Sequence, residues 1–454
     1  MALLTDRPIV VVGAGFAGLS AAVRLTRHGR RVVVLEARSR LGGRATGFKD
    51  RETGELVDNG QHVLLGCYTE TFAFLREIGA DGAVRLQPGL GVTMIDRAGT
   101  RTRLSCPSLP PPLHLLAGVM DWEALGWRDR LSALRLGPAI RLAQRALRPG
   151  AGVIAASPDE TIDRWLERNG QTPRISEMLW HPHALAAMYQ PPEEAAAPLF
   201  ARVLAEMFGP DPRAAAIGLP TRPLHLMYAE PARDWIEARG GVVKTGTSAR
   251  VMIRGGRVES VEAGDERWEP EAVISAVPWF ALRETLGGDL APMEDVLARA
   301  NRMAASPIVT VNLWFDRPVM DEPFVGLPGR SMQWVFDKRE VFGGAASHLS
   351  LVASGAGMQT HLDNERLIAA AHAELLDALP LVRPARLVRA TVIREPHATF
   401  SLAPGQPARP PALTPVNGLV LAGDWIDTGL PATIESAVRS GHQAADLLTE
   451  PRRN

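Results

Sequence analysis

Residues 7–18 read Arg-Pro-Ile-Val-Val-Val-Gly-Ala-Gly-Phe-Ala-Gly. The β-branched apolar run over 7–12 suits a strand covered on both faces of a parallel sheet. Gly13-Ala14-Gly15-Phe16-Ala17-Gly18 breaks that run as GxGxxG, and Leu19 to His28 carry helical spacing. A second buried strand follows at 31–36 (RVVVLE), so the chain opens on a βαβ unit with a right-handed crossover. Gly13 permits the tight turn, Gly15 lets backbone approach a pyrophosphate, and Gly18 packs helix against strand. Phe16 and Ala17, between the glycines, belong to the expected cofactor-binding set, and the N-terminus of the helix that follows faces phosphate charge. Glu36, followed by Ala37, ends the second strand, where a carboxylate accepts ribose hydroxyls and disfavours the 2′-phosphate of NADP.

Six residues on stands Gly42-Gly43-Arg44, a second backbone approach to the pyrophosphate with a fixed positive charge. GxGxxG, then an acid, then RxGGR separates FAD enzymes from simple NAD dehydrogenases. The far end of the chain supplies a third element: Gly423-Asp424 follows a buried strand at 418–423, and a helix is expected from about Pro431 to Leu448. Asp424 can hold ribityl hydroxyls. Ala432 and Thr433 open a helix whose N-terminus stabilises negative charge on a reduced flavin. FAD is therefore the expected cofactor. No second GxGxxG occurs, so electrons must enter or leave by an external donor.

Between these pieces the chain changes character. From Leu104 to about Arg239 helix formers dominate, punctuated by prolines. Strand-like segments return at 241–254, 271–277, 307–316 and 346–353. The expected organisation is α/β: a Rossmann-type FAD-binding domain from 1–85, 235–290 and 395–454, with an inserted α+β substrate domain from 86–234 and 291–394.

The 454 residues carry 50 basic and 50 acidic side chains, so no net field invites nucleic acid. Only three are lysines (Lys49, Lys244, Lys338). Two cysteines make no disulfide framework, and the first apolar run passes straight into the glycine loop. A reducing cytoplasmic setting without a secretory leader is expected. His181-Pro182-His183 has no cysteine or carboxylate set beside it and is not read as a metal site.

These pieces together resemble the amine oxidase and carotenoid desaturase superfamily of flavoproteins over most of the chain. Within it, Asp58-Asn59-Gly60-Gln61-His62-Val63-Leu64-Leu65-Gly66-Cys67-Tyr68 is similar to the hydroxysqualene dehydroxylases of hopanoid biosynthesis. So is Gly423-Asp424-Trp425 with Gly429-Leu430-Pro431-Ala432-Thr433-Ile434-Glu435-Ser436-Ala437. Trp180, Pro182, Pro191-Pro192, Phe200 and Val203-Leu204 fall in a similar helical stretch; Tyr189 departs from it, where a smaller polar residue is expected.

The resemblance implies reductive removal of the hydroxyl of hydroxysqualene, an apolar triterpene, giving squalene. It brings Gly60, Gln61 and His62 alongside the flavin, and Val251 joins the expected cofactor-binding set. His62 is the candidate acid and Gln61 the candidate for orienting the hydroxyl, with Asp58 beside them; Glu435 is read as capping its helix or touching flavin. A lipid substrate implies peripheral contact with the inner membrane, and the apolar, proline-led Leu109–Met120 is expected at the substrate entrance. A polyene desaturase, running hydride the other way, is the main alternative. A flavin amine oxidase fits less well, because 307–316 holds no lysine. A prenyl-lipid carrier without flavin is disfavoured by Gly15, Glu36, Arg44 and Asp424.

Overall fold

The computed structural model describes residues 7–147 and 155–449. Residues 1–6, 148–154 and 450–454, which fall inside the expected domain segments, lie outside the description.

Five parallel strands form the first sheet, in the order Val242–Lys244, Val32–Leu35, Ile9–Val12, Ala272–Ser275, Leu419–Leu421. The uniformly apolar strands are uniform because both faces are covered. Ile9, Val11, Val32 and Val34 pack with helices Phe16–Arg27, Glu230–Glu237 and Ile434–Thr449. Val10, Val12, Val33 and Leu35 face the opposite way, into a cluster with Val251, Ile253 and Val261. Each fully buried Val or Leu is worth roughly 1.5–3 kcal/mol, so this double coverage holds the glycine loop rigidly at the strand ends.

The stretch 241–254 divides between two sheets. Val242–Lys244 extends the parallel sheet, whereas Arg250–Arg254 enters a four-stranded one with Arg257–Ala263, Glu266–Trp268 and Leu286–Gly288. The break comes where Thr247 N–H donates to the Glu36 carbonyl, turning the chain away.

A seven-stranded sheet forms the second layer. Its order is Leu387–Phe400, Ala305–Phe315, Ser347–Ser354, Trp334–Asp337, Phe324–Gly326, Gly91–Ile95, Arg101–Ser105. The boundary expected at 395 cuts its first strand. Helices between Leu113 and Met207 form a third layer. Within the stretch read as helical, Ile217–Pro220 is a strand, paired with Leu64–Leu65 and Val84–Leu86. Four residues ending in proline show no period that could reveal it. No helix among the described residues is long and apolar enough to cross a membrane.

Candidate functional site

The glycine loop closes as its residue types require. Gly13 adopts φ +103°, and a Cβ there would lie 2.8 Å from the Ala276 carbonyl oxygen. Gly15 differs: a Cβ would meet only the Gly43 Cα, 3.9 Å away. Nothing among the described residues requires glycine at 15, and the room beside it suits a ligand. The helix that follows, Phe16–Arg27, has no side-chain cap and no acid in its first turn. Its first N–H groups are thus available to an anion. Glu36 is buried and holds the loop from the far side, accepting from Ala14 N at 2.8 Å and Arg38 N at 2.9 Å.

A second glycine pair faces the first, fixed by a residue the motif does not contain. Tyr228, in a π-helical turn at His225–Ala229, donates to the Gly42 carbonyl at 2.8 Å and stacks on Phe16 with ring centroids 3.5 Å apart. Arg44 reaches across the site, donating to Asp424 at 2.5 Å and to the Ala398 carbonyl at 2.9 Å, with its guanidinium 5.6 Å from the Trp279 ring. Asp424 is buried, and Gly423 N–H donates to Ser440 of the last helix. Ala432 and Thr433 are buried at that helix's start, where Thr433 Oγ1 accepts from Ser436 N at 3.2 Å. The helix begins at Ile434 rather than 431. Glu435 caps a neighbour, not its own helix: its carboxylate accepts from Glu70 N, Thr71 N and Thr71 Oγ1, the start of helix Thr69–Glu77. The Val251 side chain lies apart, fully buried in the apolar cluster behind the sheet.

The 58–62 segment bridges the two sheets. Asp58 accepts from Leu224 N at 3.1 Å on the nucleotide side. On the other side stands Lys338, the first residue of the short helix Lys338–Phe342 that follows strand Trp334–Asp337; it is 4% exposed and its ammonium lies 3.4 Å from the Asp58 carboxylate. The same ammonium donates to Gln61 Oε1, and Gln61 Nε2 donates to the His62 carbonyl at 2.9 Å. His62 Nδ1 is 3.1 Å from the Gly60 carbonyl. Asn59 donates to the Arg44 carbonyl and to Glu395 of the seven-stranded sheet. Above Gly60, the Thr310 hydroxyl is buried without a hydrogen bond, 3.8 Å from where a Cβ on Gly60 would lie.

Loss of water pushes the His62 imidazole below its ordinary value; Asp58 and the Gly60 carbonyl oppose this, and the Lys338 and Arg44 charges add to it. Burial likewise pulls the Lys338 ammonium down, against the attraction of Asp58. Tyr68 and Tyr189 are raised by burial, Tyr189 to about 12 with Asp424 contributing. Tyr189 closes helix His181–Met188 at φ +55°, a rare conformation for a bulky residue, and its carbonyl accepts from Ser306 at 2.5 Å. His181 pairs with Asp163, and His183 lies against Phe200 with its imidazole lowered to about 4 by burial.

Residues 16–449 match the family model described as flavin containing amine oxidoreductase. The chain belongs to that family. This flavin-containing oxidoreductase is 30% identical over 450 residues to a hydroxysqualene dehydroxylase of Rhodopseudomonas palustris, covering 98% of each chain. It is 29% identical to one from Sinorhizobium fredii, over 96% of this chain and 97% of that one. A 15-cis-phytoene desaturase of Synechococcus elongatus is 24% identical over 97% of this chain and 95% of its own. An oxidoreductase structure from Methanosarcina mazei superposes with a TM-score of 0.73 at 17% identity, over 97% of this chain and all of that one. The fold is thus that of FAD-dependent oxidoreductases, and FAD is the cofactor.

The residues present fit it. The uncapped helix, the open Gly15–Gly43 cleft and Arg44 suit a pyrophosphate, Glu36 a ribose, and the unpartnered Thr310 hydroxyl a polar group beside Gly60. Sequence reasoning missed Tyr228 and Lys338. The scarcity of lysine was the one available signal for Lys338, since a single buried ammonium in an arginine-rich chain needs a partner.

Proposed function

We propose that this oxidoreductase reductively removes the hydroxyl of hydroxysqualene to give squalene. The observation that carries the reading is the polar bridge over 58–62, which joins the flavin cradle to the substrate-side sheet through Lys338. The relatives named for this reaction also match at 28–30% identity, above the 24–25% of the phytoene desaturases. Gly13, Gly15, Phe16, Ala17, Gly18, Gly42, Gly43 and Arg44 hold the pyrophosphate, and Glu36 with Ala37 the adenosine ribose. Gly423 and Asp424 lie at the ribityl chain and Ala432 and Thr433 at the pyrimidine end; Val251, its side chain buried behind the sheet, reaches the adenine only through its main chain. Bound reduced FAD supplies a hydride, and an external donor restores it.

The chain's own residues do the rest. The hydroxyl-bearing carbon is allylic, so departure of water leaves a delocalised cation and the protein must protonate the leaving oxygen while excluding other water. Gln61, locked by Lys338, orients the hydroxyl. His62 supplies the proton. Because burial lowers its pKa, the imidazole is neutral near pH 7 and is a strong acid only once protonated; its charge arrives with the proton that the substrate takes. The balance is ROH + FADH− + H+ → RH + FAD + H2O, the proton coming through His62.

Polyene desaturation remains the second reading, favoured by the phytoene desaturase relatives. The test is to mix photoreduced protein with hydroxysqualene without oxygen and follow flavin colour and lipid together. Reoxidation as squalene appears is expected. Persistence of reduced flavin with no squalene contradicts the reading; the oxidised protein would then be offered phytoene. Access for a lipid substrate makes the protein a peripheral visitor to the inner membrane from the cytoplasm.

A further inference from the structure

Helix Trp127–Arg135 is turned inside out. Spacing of i, i+4 and i+7 puts Trp127, Leu131 and Leu134 on one stripe, and that stripe faces solvent, with exposures of 68%, 45% and 46%. The residue the helix buries is Ser132. An amphipathic helix in a globular protein ordinarily turns its apolar stripe to the core. Neighbouring helices also expose apolar side chains. Leu113 and Met120 are exposed on helix Leu113–Asp121, which packs against Trp127–Arg135, and Leu142 is exposed on helix Gly137–Ala146.

Charge over 113–146 leans basic although the chain as a whole is balanced: five arginines stand against Asp121, Glu123 and Asp129, and both Asp121 and Glu123 precede the Trp127 helix. Between 127 and 146 stand Arg128, Arg130, Arg135, Arg141 and Arg145 against Asp129 alone. Asp129 is turned inward, accepting from Gly126 N and Thr172. Arg128 lies 5.4 Å from the Trp127 ring centroid. An apolar stripe with a tryptophan at its edge and a rim of cations is the makeup of a helix lying in the headgroup region of an anionic bilayer. Behind the face, Gly137–Ala146 packs on helix Ala197–Met207, whose Arg202 lies against Gly429 in the C-terminal loop.

We propose that the 113–146 helices form a docking surface for an anionic lipid bilayer, centred on Trp127, Leu131 and Leu134. The expected entrance segment Leu109–Met120 lies at its edge rather than its centre. The inference rests on the dehydroxylase reading only for why a lipid surface is useful; docking itself needs no turnover.

The holoprotein is sedimented with vesicles of phosphatidylcholine alone or with about one-third phosphatidylglycerol. The expected result is binding to the anionic vesicles, weakened on the order of tenfold by Trp127→Ser/Leu131→Ser/Leu134→Ser and by Arg128→Gln/Arg135→Gln/Arg141→Gln. Flavin absorbance and the unfolding midpoint should be unchanged in both variants. Wild-type protein that stays in the supernatant with both vesicle types overturns the proposal, as does a serine variant that binds like wild type. A wild-type dimer that becomes monomeric in the serine variant also overturns it, by assigning the face to a second copy. Because no reaction is followed, failure of the dehydroxylase reading leaves this result interpretable.

Discussion

The flavin cradle and the 58–62 bridge meet at Arg44 and Asn59 but are built on opposite plans. The glycine part of the cradle is local: Gly13 to Arg44 lie within one βαβ unit and its following loop, and only its anchors, Tyr228 and Asp424, come from elsewhere in the chain. The bridge is assembled from afar, with Asp58 meeting Leu224 on one side and Lys338 on the other. The glycine turns are set by short-range structure, whereas the bridge depends on how two layers dock. Substitutions in the two regions should therefore fail in different ways.

The largest effect is expected at the bridge. Lys338→Met leaves the Asp58 carboxylate buried without its cation, which should cost about 3–5 kcal/mol in urea unfolding. Adding Asp58→Asn should recover part of that loss, because the stranded charge is gone. A single variant as stable as wild type would mean that the pair does not bind the layers together.

Gly15→Val should give the converse phenotype. A Cβ at 15 meets nothing nearer than the Gly43 Cα, 3.9 Å away, so the apoprotein should fold with little change in unfolding midpoint, while FAD binding weakens on the order of 100-fold, about 2.7 kcal/mol. Yellow protein with normal FAD affinity would place the pyrophosphate elsewhere.

His62 gives the smallest and most specific effect. Its pKa lies below 6.5, so kcat/KM should rise as pH falls through that depressed value, and His62→Gln should flatten this limb. Stability moves the other way. As pH drops below 6.5, the unfolded chain binds a proton that the folded imidazole refuses, and the folded state loses ground. A pH limb that survives His62→Gln would remove His62 from proton donation.

The same contrast explains what could be read from the sequence. The strands at 9–12 and 32–35 are legible because burial on both faces leaves an unbroken apolar run, and the glycines announce their turns. Arg44 and Asp424 were legible as candidate cofactor residues, but their bond to each other was not, since 380 residues separate them. Tyr228 and Lys338 have no local signature: a tyrosine in a helical stretch and a lysine after a strand reveal themselves only once the layers pack. Glu435 was placed at a helix start correctly, yet the N–H groups it satisfies belong to the helix beside it. Capping partners across a tertiary contact leave no spacing to detect.

The most direct test is a single anaerobic turnover in D2O, using protein photoreduced in the same solvent. Hydrogen on the reduced flavin's N5 exchanges with solvent, so the transferred hydride carries deuterium. The account predicts squalene with one deuterium, at the carbon that bore the hydroxyl. Squalene without deuterium, or none formed while the flavin stays reduced, would contradict it.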